Sequence, residues 1–280
     1  MSDIRSVALP DGTAVPALGV GTWGYAEDPA RRDDEIASLR AALDEGLALI
    51  DTAEMYADGG AEELVGQALA GRRDEAFVVD KVLPHHASRT GTVEACERAL
   101  RRLRTDRVDL YLLHWRGPHP LEDTVAAFDE LRAAGKIRHW GVSNLDVGDL
   151  TGLVDLPGGD AVATDQILYN LTRRGPEWDL LPWAAGRGLP VMAYSPVEQG
   201  RLLDEPALRA VAERHDATPA QVALAWVLAR PGTVAIPRTA TPSRMAENRA
   251  ALDLVLTADD GTELDAAFPP PTGKRRLEIL

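Results

Sequence analysis

The chain has a single cysteine, Cys96, in 280 residues. An intrachain disulfide framework and a cysteine metal cage are both excluded. Long apolar runs are missing too. The longest, Val222 to Ala229, is far short of the ~18 residues that a membrane-spanning helix needs. Basic charge is scarce: 30 Lys and Arg stand against 44 Asp and Glu, a net charge of −14. Such a chain lacks the basic face that nucleic acid requires, and an anionic membrane surface repels it. An anionic ligand must then be held by a local basic cluster. No Gly/Ser tract, charge block or low-complexity run marks a linker. The opening MSDIRSVALPDG lacks the basic flank and apolar core of a signal peptide, so the expected location is the cytoplasm.

What is present is an ordinary globular balance, 45% apolar and 26% charged. Short β-rich apolar runs alternate with stretches of helical period. A first segment, Val7–Leu9 and Ala14–Pro16 around Pro10-Asp11-Gly12, has the form of a hairpin. Eight runs follow: Leu18–Val20, Leu47–Ile50, Ala76–Val82, Val108–Leu113, Ile137–Val142, Ala161–Gln166, Leu189–Ala193 and Thr233–Ile236. Between them Ile36, Leu39 and Leu43 share one helical face, as do Val93, Cys96, Leu100 and Leu103, which makes Cys96 a buried filler. Thr218-Pro219-Ala220-Gln221 has the pattern of a capping box, and Thr241-Pro242 opens a helix in the same way. Gly46, Gly71, Gly135 and Gly188 stand where helices should stop.

Eight strands alternating with helices over residues 1–280 predict one domain, a (β/α)8 TIM barrel with an N-terminal β-hairpin and an extra helix before the last strand. A doubly wound sheet shares the alternation, but the count of eight and the lack of a midpoint break favour the barrel. In a barrel the chemistry lies at the C-terminal ends of the strands.

Gly19-Val20-Gly21-Thr22-Trp23-Gly24 matches the dinucleotide pattern G-x-G-x-x-G. That motif must open a helix directly. Here Tyr25, Glu27, Asp28 and Pro29 intervene and helical period begins near Asp33, so the glycines are expected to serve a tight turn. His85-His86 has no accompanying ligand set and is expected in a solvated loop.

The strand ends are more informative. The second run leads into Asp51-Thr52-Ala53-Glu54-Met55-Tyr56, the third contains Lys81, and the fourth ends in His114-Trp115. Taken singly, Asp51 can be a helix cap, Tyr56 a rim aromatic and His114 a core histidine. Lys81 is harder to dismiss, because a lysine inside an apolar strand needs a partner. Neighbouring strands bring a carboxylate, an ammonium, a phenol and an imidazole to one point. A phenol of pKa ~10 is a poor acid at neutral pH, and an adjacent ammonium is expected to lower it. A carboxylate would keep the lysine charged, and the imidazole would orient a carbonyl. The set makes a general acid beside a carbonyl, with no evident nucleophile or metal.

At these residues the chain resembles the aldo-keto reductase family over nearly its full length. Asp51, Tyr56, Lys81 and His114 fall on that family's catalytic tetrad. IDTAEMYADGGAE (50–62) and WGVSNL (140–145) are most similar to its bacterial methylglyoxal-reductase-type members. The resemblance implies reduction of aldehydes and α-ketoaldehydes to alcohols by direct hydride transfer from NADPH, with Tyr56 as general acid. It implies a nicotinamide carboxamide site at Ser143, Asn144 and Gln166, with Tyr194 stacked on the ring and Gly21, Thr22, Trp23 and Asp51 nearby. Ser195, Val197 and Gly200 would follow the pyrophosphate. Ile236, Pro237, Arg238, Thr239, Arg244, Glu247 and Asn248 would hold the adenosine end. Trp23, Tyr56, His114 and Trp115 would wall the substrate pocket, whereas core packing suits Trp140, Trp183 and Trp226. On the residues alone, two arginines beside the Thr241-Pro242 helix start suit either an anion site, fitted to a 2′-phosphate, or an ordinary solvated helix end.

Three departures carry expectations. Arg238 replaces a lysine, keeping charge but changing geometry. Asp80, just before Lys81, should point to the helix layer and pair with a cation there. Asp165 replaces an asparagine before Gln166, which could weaken the carboxamide contact. Short loops after His114 and after Phe268 imply an open pocket for small carbonyls. The expected partner is a small carbonyl substrate and the expected state a monomer. The competing readings are an NADPH-binding regulatory subunit on the same fold, and a phosphate-binding lyase or hydrolase using Asp51, Lys81 and His114.

Overall fold

The apolar runs form strands and the periodic stretches form helices, described for residues 4–280 in a computed structural model. Residues 1–3 of the domain expected over 1–280 lie outside the described residues. An antiparallel hairpin, β1 (Ser6–Ala8) and β2 (Ala14–Pro16), precedes β3 (Gly19–Gly21) and α1 (Arg32–Asp44). Then come β4 (Leu49–Asp51) with α2 (Gly60–Ala68), β5 (Phe77–Val82) with α3 (Arg89–Leu103), and β6 (Val108–Leu113) with α4 (Leu121–Ala133). Next are β7 (Ile137–Ser143) with α5 (Val147–Val154), β8 (Asp165–Leu168) with α6 (Leu180–Ala185), and β9 (Val191–Tyr194) with α7 (Pro206–Arg214) and α8 (Pro219–Leu228). β10 (Thr233–Ile236), α9 (Ser243–Ala250) and α10 (Ala258–Ala267) end the series.

Strands β3 to β10 pair in parallel in chain order. The two edges meet: Leu18 bridges Ala235, the Ala235 N–H donates to the Ala17 carbonyl at 2.9 Å, and the Gly21 N–H donates to the Pro237 carbonyl at 3.0 Å. Sequential order and closure together give the (β/α)8 barrel and exclude the doubly wound sheet, whose strand order reverses. Two helices, α7 and α8, fill the connection before the last strand, which is the expected extra helix. Asp11 in the hairpin turn lies 3.4 Å from His139, early in β7, so the hairpin covers the N-terminal end of the barrel. No helix among the described residues is long and apolar enough to cross a membrane.

The strands reach further toward their polar ends than the apolar runs suggest. Asp51, Ser143 and Tyr194 each close a strand, and the run expected over Ala161–Gln166 is displaced. Gly159–Ala161 is a 3-10 turn and β8 runs on to Leu168. Inward-facing polar residues belong to these strands because the barrel's open end supplies them with partners.

Helix punctuation holds in most places. Thr218 and Gln221 form a reciprocal capping box, and Gly46, Gly71, Gly135 and Gly188 have φ between +63° and +79°. The exception is Thr241. Helix α9 begins at Ser243 after a helical Pro242, with no side-chain cap; the Thr241 N–H instead donates to Thr239 Oγ1. The G-x-G-x-x-G segment is a turn, as its context implies. A β-carbon on Gly19 would lie 2.7 Å from the Leu49 carbonyl oxygen, so that glycine permits strand packing. Helix α1 begins only at Arg32. On the outer face of the barrel, Phe128 of α4 packs against Tyr111 and Trp140, with ring centroids 5.8 and 5.3 Å apart, and fixes Trp140 as core.

Candidate active site

A cavity of about 990 Å³ opens at the C-terminal ends of the strands. Its floor is set by one buried ammonium. Lys81 faces inward from β5 and donates to Asp51 Oδ1 at 2.7 Å, to the Thr52 carbonyl at 2.8 Å and to the Tyr56 hydroxyl oxygen at 3.3 Å. An ammonium has three donors and no acceptor, so all three are committed. The Tyr56 oxygen is the acceptor, which leaves its own proton free for the cavity. Burial by itself would lower the Lys81 pKa, but Asp51 and Tyr56 outweigh it and raise it.

Tyr56 departs from expectation. Its pKa is raised: burial dominates, and the opposing pull of Lys81 does not cancel it. The phenol therefore holds its proton firmly at neutral pH. His114 meets Tyr56 edge to face, ring centroids 5.9 Å apart. Burial, helped by Lys81, pushes the imidazole down to about 2, so it is neutral. Its Nδ1 is buried without a partner. An unpaired lone pair costs less than an unpaired N–H, which places the proton on Nε2.

A second network braces the wall. Gln166 Nε2 donates to Asp51 Oδ2 at 2.7 Å, which leaves its carbonyl oxygen as an acceptor. Ser143 Oγ donates to the backbone carbonyl of Gln166 at 2.8 Å, not to the side-chain oxygen. Asn144 Nδ2 donates to the His114 carbonyl and to Ser143 Oγ, both at 3.0 Å, while Asn144 Oδ1 accepts from the Tyr194 hydroxyl at 2.9 Å. Nine non-glycine residues with positive φ occur among the described residues, and three of them, Asn144, Ser195 and Gln199, line this cavity. Strain of this kind concentrates where side chains must be aimed.

The far end is looser. Arg238 is exposed, reaches the Gly24 carbonyl at 3.3 Å and lies over the Tyr25 ring. Tyr25 in turn donates to the Thr239 carbonyl. Arg244 is exposed in the first turn of α9. Among the described residues no carboxylate pairs with either arginine. Glu247 accepts from the Thr218 hydroxyl at 2.9 Å, and its carbonyl receives Gln221 Nε2.

A scan against family patterns matches the Aldo/keto reductase family over residues 17–268. The chain belongs to the aldo/keto reductase family. It is 50% identical to the methylglyoxal reductase YeaE of Escherichia coli K12, covering 99% of each chain. It is 34% identical to the glyoxal reductase of Bacillus subtilis, over 93% of this chain and 92% of that one. A crystal structure of an aldo/keto reductase from Klebsiella pneumoniae with NADP and acetate superposes with a TM-score of 0.97. It is 49% identical and covers 99% of this chain and 100% of that one.

Most residues that the sequence singles out line this family member's cavity: Gly21, Trp23, Asp51, Tyr56, His114, Trp115, Ser143, Asn144, Gln166, Tyr194, Ser195, Val197 and Gly200, then Ile236 to Thr239, Arg244, Glu247 and Asn248. Two do not reach its surface. Lys81 lies beneath it, and Thr22 is buried, its hydroxyl on the Asp51 carbonyl at 3.0 Å. Other lining residues escaped the sequence reading, among them Met55, Gln199, Leu203 and the start of α8 at Thr218–Ala220. Met55 sits inside the IDTAEMY string, and its place directly before Tyr56 was the available signal.

Four expectations need correction. The short tail does not leave the mouth open, because Ile279 and Leu280 line it. Glu278 holds the tail to Arg173 at 2.6 Å, and Lys274 holds it to Asp179 at 3.0 Å. Asp165 cannot disturb a carboxamide contact, since it faces away from the cavity, buried and without a partner on either oxygen. Asp80 points to the helix layer as expected but finds no cation; both of its oxygens are unpartnered and its neighbour is Glu62. His86 is not merely solvated, because its Nδ1 lies 2.9 Å from Glu54.

Proposed function

We propose that this protein reduces aldehydes and α-ketoaldehydes to alcohols with NADPH, and that Tyr56 donates the proton. The observation that carries this is the commitment of all three Lys81 donors. They fix the Tyr56 oxygen as an acceptor and turn its hydrogen toward the cavity. The relatives named methylglyoxal reductase and glyoxal reductase support the substrate class. Klebsiella pneumoniae structures with NADP and with NADPH support the cofactor.

The residues present fit that cofactor. The Gln166 carbonyl oxygen faces a carboxamide position braced by Ser143 and Asn144. Tyr194, tethered to Asn144, offers a ring face. Ser195, Val197 and Gly200 border the next stretch of the cavity, and Arg238 and Arg244 offer two unpaired cations where a 2′-phosphate would end. When bound there, NADPH supplies a hydride to the carbonyl carbon.

The chain's own residues do the rest. Nε2–H of neutral His114 and the Tyr56 hydroxyl converge on the carbonyl oxygen and orient it. As negative charge develops there, Tyr56 gives up its proton, and the Lys81 ammonium stabilises the phenolate that remains. Asp51 keeps Lys81 charged and in place. Trp23 and Trp115 wall the pocket and keep water from it. The expected active form is a monomer, which light scattering tests.

The purified protein is titrated with NADPH and NADH by nucleotide fluorescence, then given methylglyoxal while cofactor oxidation is followed. Turnover by the wild type, with about 10³-fold loss in Tyr56→Phe and unchanged NADPH affinity, is the expected result. NADPH binding without turnover on a panel of carbonyls would favour a regulatory subunit. Equal loss of binding and turnover in Tyr56→Phe would overturn the donor role.

A further inference from the structure

Behind the catalytic lysine, on the opposite face of β5, lies a second pair of acids that the reduction chemistry does not use. Asp80 and Glu62 are both fully buried. Glu62 Oε2 accepts from Arg102 Nη1 at 2.7 Å, whereas Glu62 Oε1 and both Asp80 oxygens have no donor. The two carboxyl groups are near enough for each to shift the other's titration. Two buried carboxylates side by side repel, and each unpaired oxygen carries a desolvation cost. One proton between them removes both problems.

We propose that Asp80 and Glu62 share a single proton, carried by Asp80, with the negative charge confined to Glu62 and Arg102, and that Asp80 is thereby a positioning residue that keeps the back of β5 neutral behind Lys81. The assignment of the proton follows from the partners. Glu62 has an arginine and Asp80 has none. The other titratable groups near Asp80 are the unpartnered Tyr111 hydroxyl of β6 and the Cys96 thiol of α3, with Lys81 next to it on the other face of the strand; the Glu54 carboxylate acts on Glu62 and Tyr111. Burial pushes the Cys96 thiol up to about 12 and holds the Tyr111 phenol well above its ordinary value, so neither is a source of charge near neutral pH. Burial first, and then the Glu62 charge, hold Asp80 well above the carboxylate range.

The consequence reaches the catalytic centre. A charge on Asp80 would raise the Tyr56 pKa further and make it a weaker proton donor. With the proton in place, Asp51 is the only anion paired with Lys81. This step rests on Tyr56 as the donor, but the proton-sharing itself does not.

Infrared spectroscopy of the ligand-free protein at neutral pH tests the sharing directly. Asp165, also buried and held well above the carboxylate range, contributes a protonated-carboxyl band of its own, so a second component is expected in the wild type that disappears in Asp80→Asn and persists in Asp165→Asn; a wild type with no component sensitive to Asp80→Asn overturns the proposal. Its effect on chemistry is read from the pH profile of kcat/KM. Asp80→Asn, which keeps a neutral group, should follow the wild-type profile. Burial keeps Asp80 protonated in Glu62→Gln as well, so that variant should also follow the wild-type profile while its protonated-carboxyl band shifts with the loss of the neighbouring charge. An alkaline limb that moves down in Asp80→Asn would show that Asp80 carries charge in the wild type, and it overturns the positioning role. Stability gives a check independent of turnover. The folded state keeps a proton that the unfolded chain releases above pH ~4, so wild-type stability falls as pH rises above that value. The melting temperature of Asp80→Asn relative to wild type should therefore climb with pH; a constant difference counts against the shared proton.

Discussion

The two ends of the cavity are built differently. At the catalytic end Asp51, Lys81, Ser143 and Gln166 are all buried and joined by hydrogen bonds of 2.7–2.8 Å. Both oxygens of Asp51 and all three donors of Lys81 are already committed within the protein. At the other end Arg238 and Arg244 are exposed, no carboxylate pairs with them, and one of them touches only a backbone carbonyl and an aromatic ring. The chemical end is organised by the fold, whereas the anion end is completed by what binds to it. A proton donor must be aimed before the substrate arrives; a phosphate clamp can close on its ligand at little cost in rate.

The contrast can be broken by substitution. Lys81→Met should have the largest effect, because it removes the support of Tyr56 and strands Asp51 as a buried charge. Activity should fall about 10³-fold. Stranding a buried charge costs ~3–5 kcal/mol, a drop in Tm on the order of 10 °C. Calorimetry beside single-turnover rates reads both, and an active, fully stable Lys81→Met would show that the floor is not preorganised. Arg238→Ala and Arg244→Ala should leave Tm and kcat nearly unchanged and weaken NADPH binding by about 10- to 50-fold each, the worth of one charge-assisted hydrogen bond. NADH binding should be untouched; equal weakening of both nucleotides would move the 2′-phosphate elsewhere.

Smaller effects sharpen the same contrast. His114 is neutral because burial holds it down to about 2, so no imidazole titrates in the working range. The kcat for reduction should be flat between about pH 5.5 and 7.5, where an ordinary histidine of pKa ~6.5 would bend it. An inflection lost on replacement of His114 would contradict the neutral tautomer. The smallest change is expected at Asp165→Asn. It replaces a buried acid without partners by a neutral side chain of the same shape and should alter NADPH affinity less than about twofold.

Much of this was legible in the sequence because strand ends punctuate it. The eight runs, the hairpin and the Thr218 capping box are local patterns, and the tetrad stands at the ends of adjacent runs. Environment was less legible. An ammonium next to Tyr56 argues for a lowered pKa, but the phenol's burial depends on how the rest of the barrel closes around it. The alternation of β5 sends Asp80 outward, yet whether it meets a cation or another acid depends on which turn of α2 lies opposite. The tail was misjudged because its length says nothing of its course. Glu278 finds Arg173, more than a hundred positions away in sequence, and that pairing brings Ile279 to the mouth.

Arg173 has a further grip. Its Nη2 and Nε hold Glu198 at 2.9 and 3.2 Å, in the loop after β9, while its Nη1 holds Glu278. One guanidinium thus acts as a linchpin between the loop after β9 and the C-terminal tail, two segments that both line the cavity. The two cannot shift independently without giving up one of these contacts. The entrance is therefore a shared edge, and its width is set by both segments together.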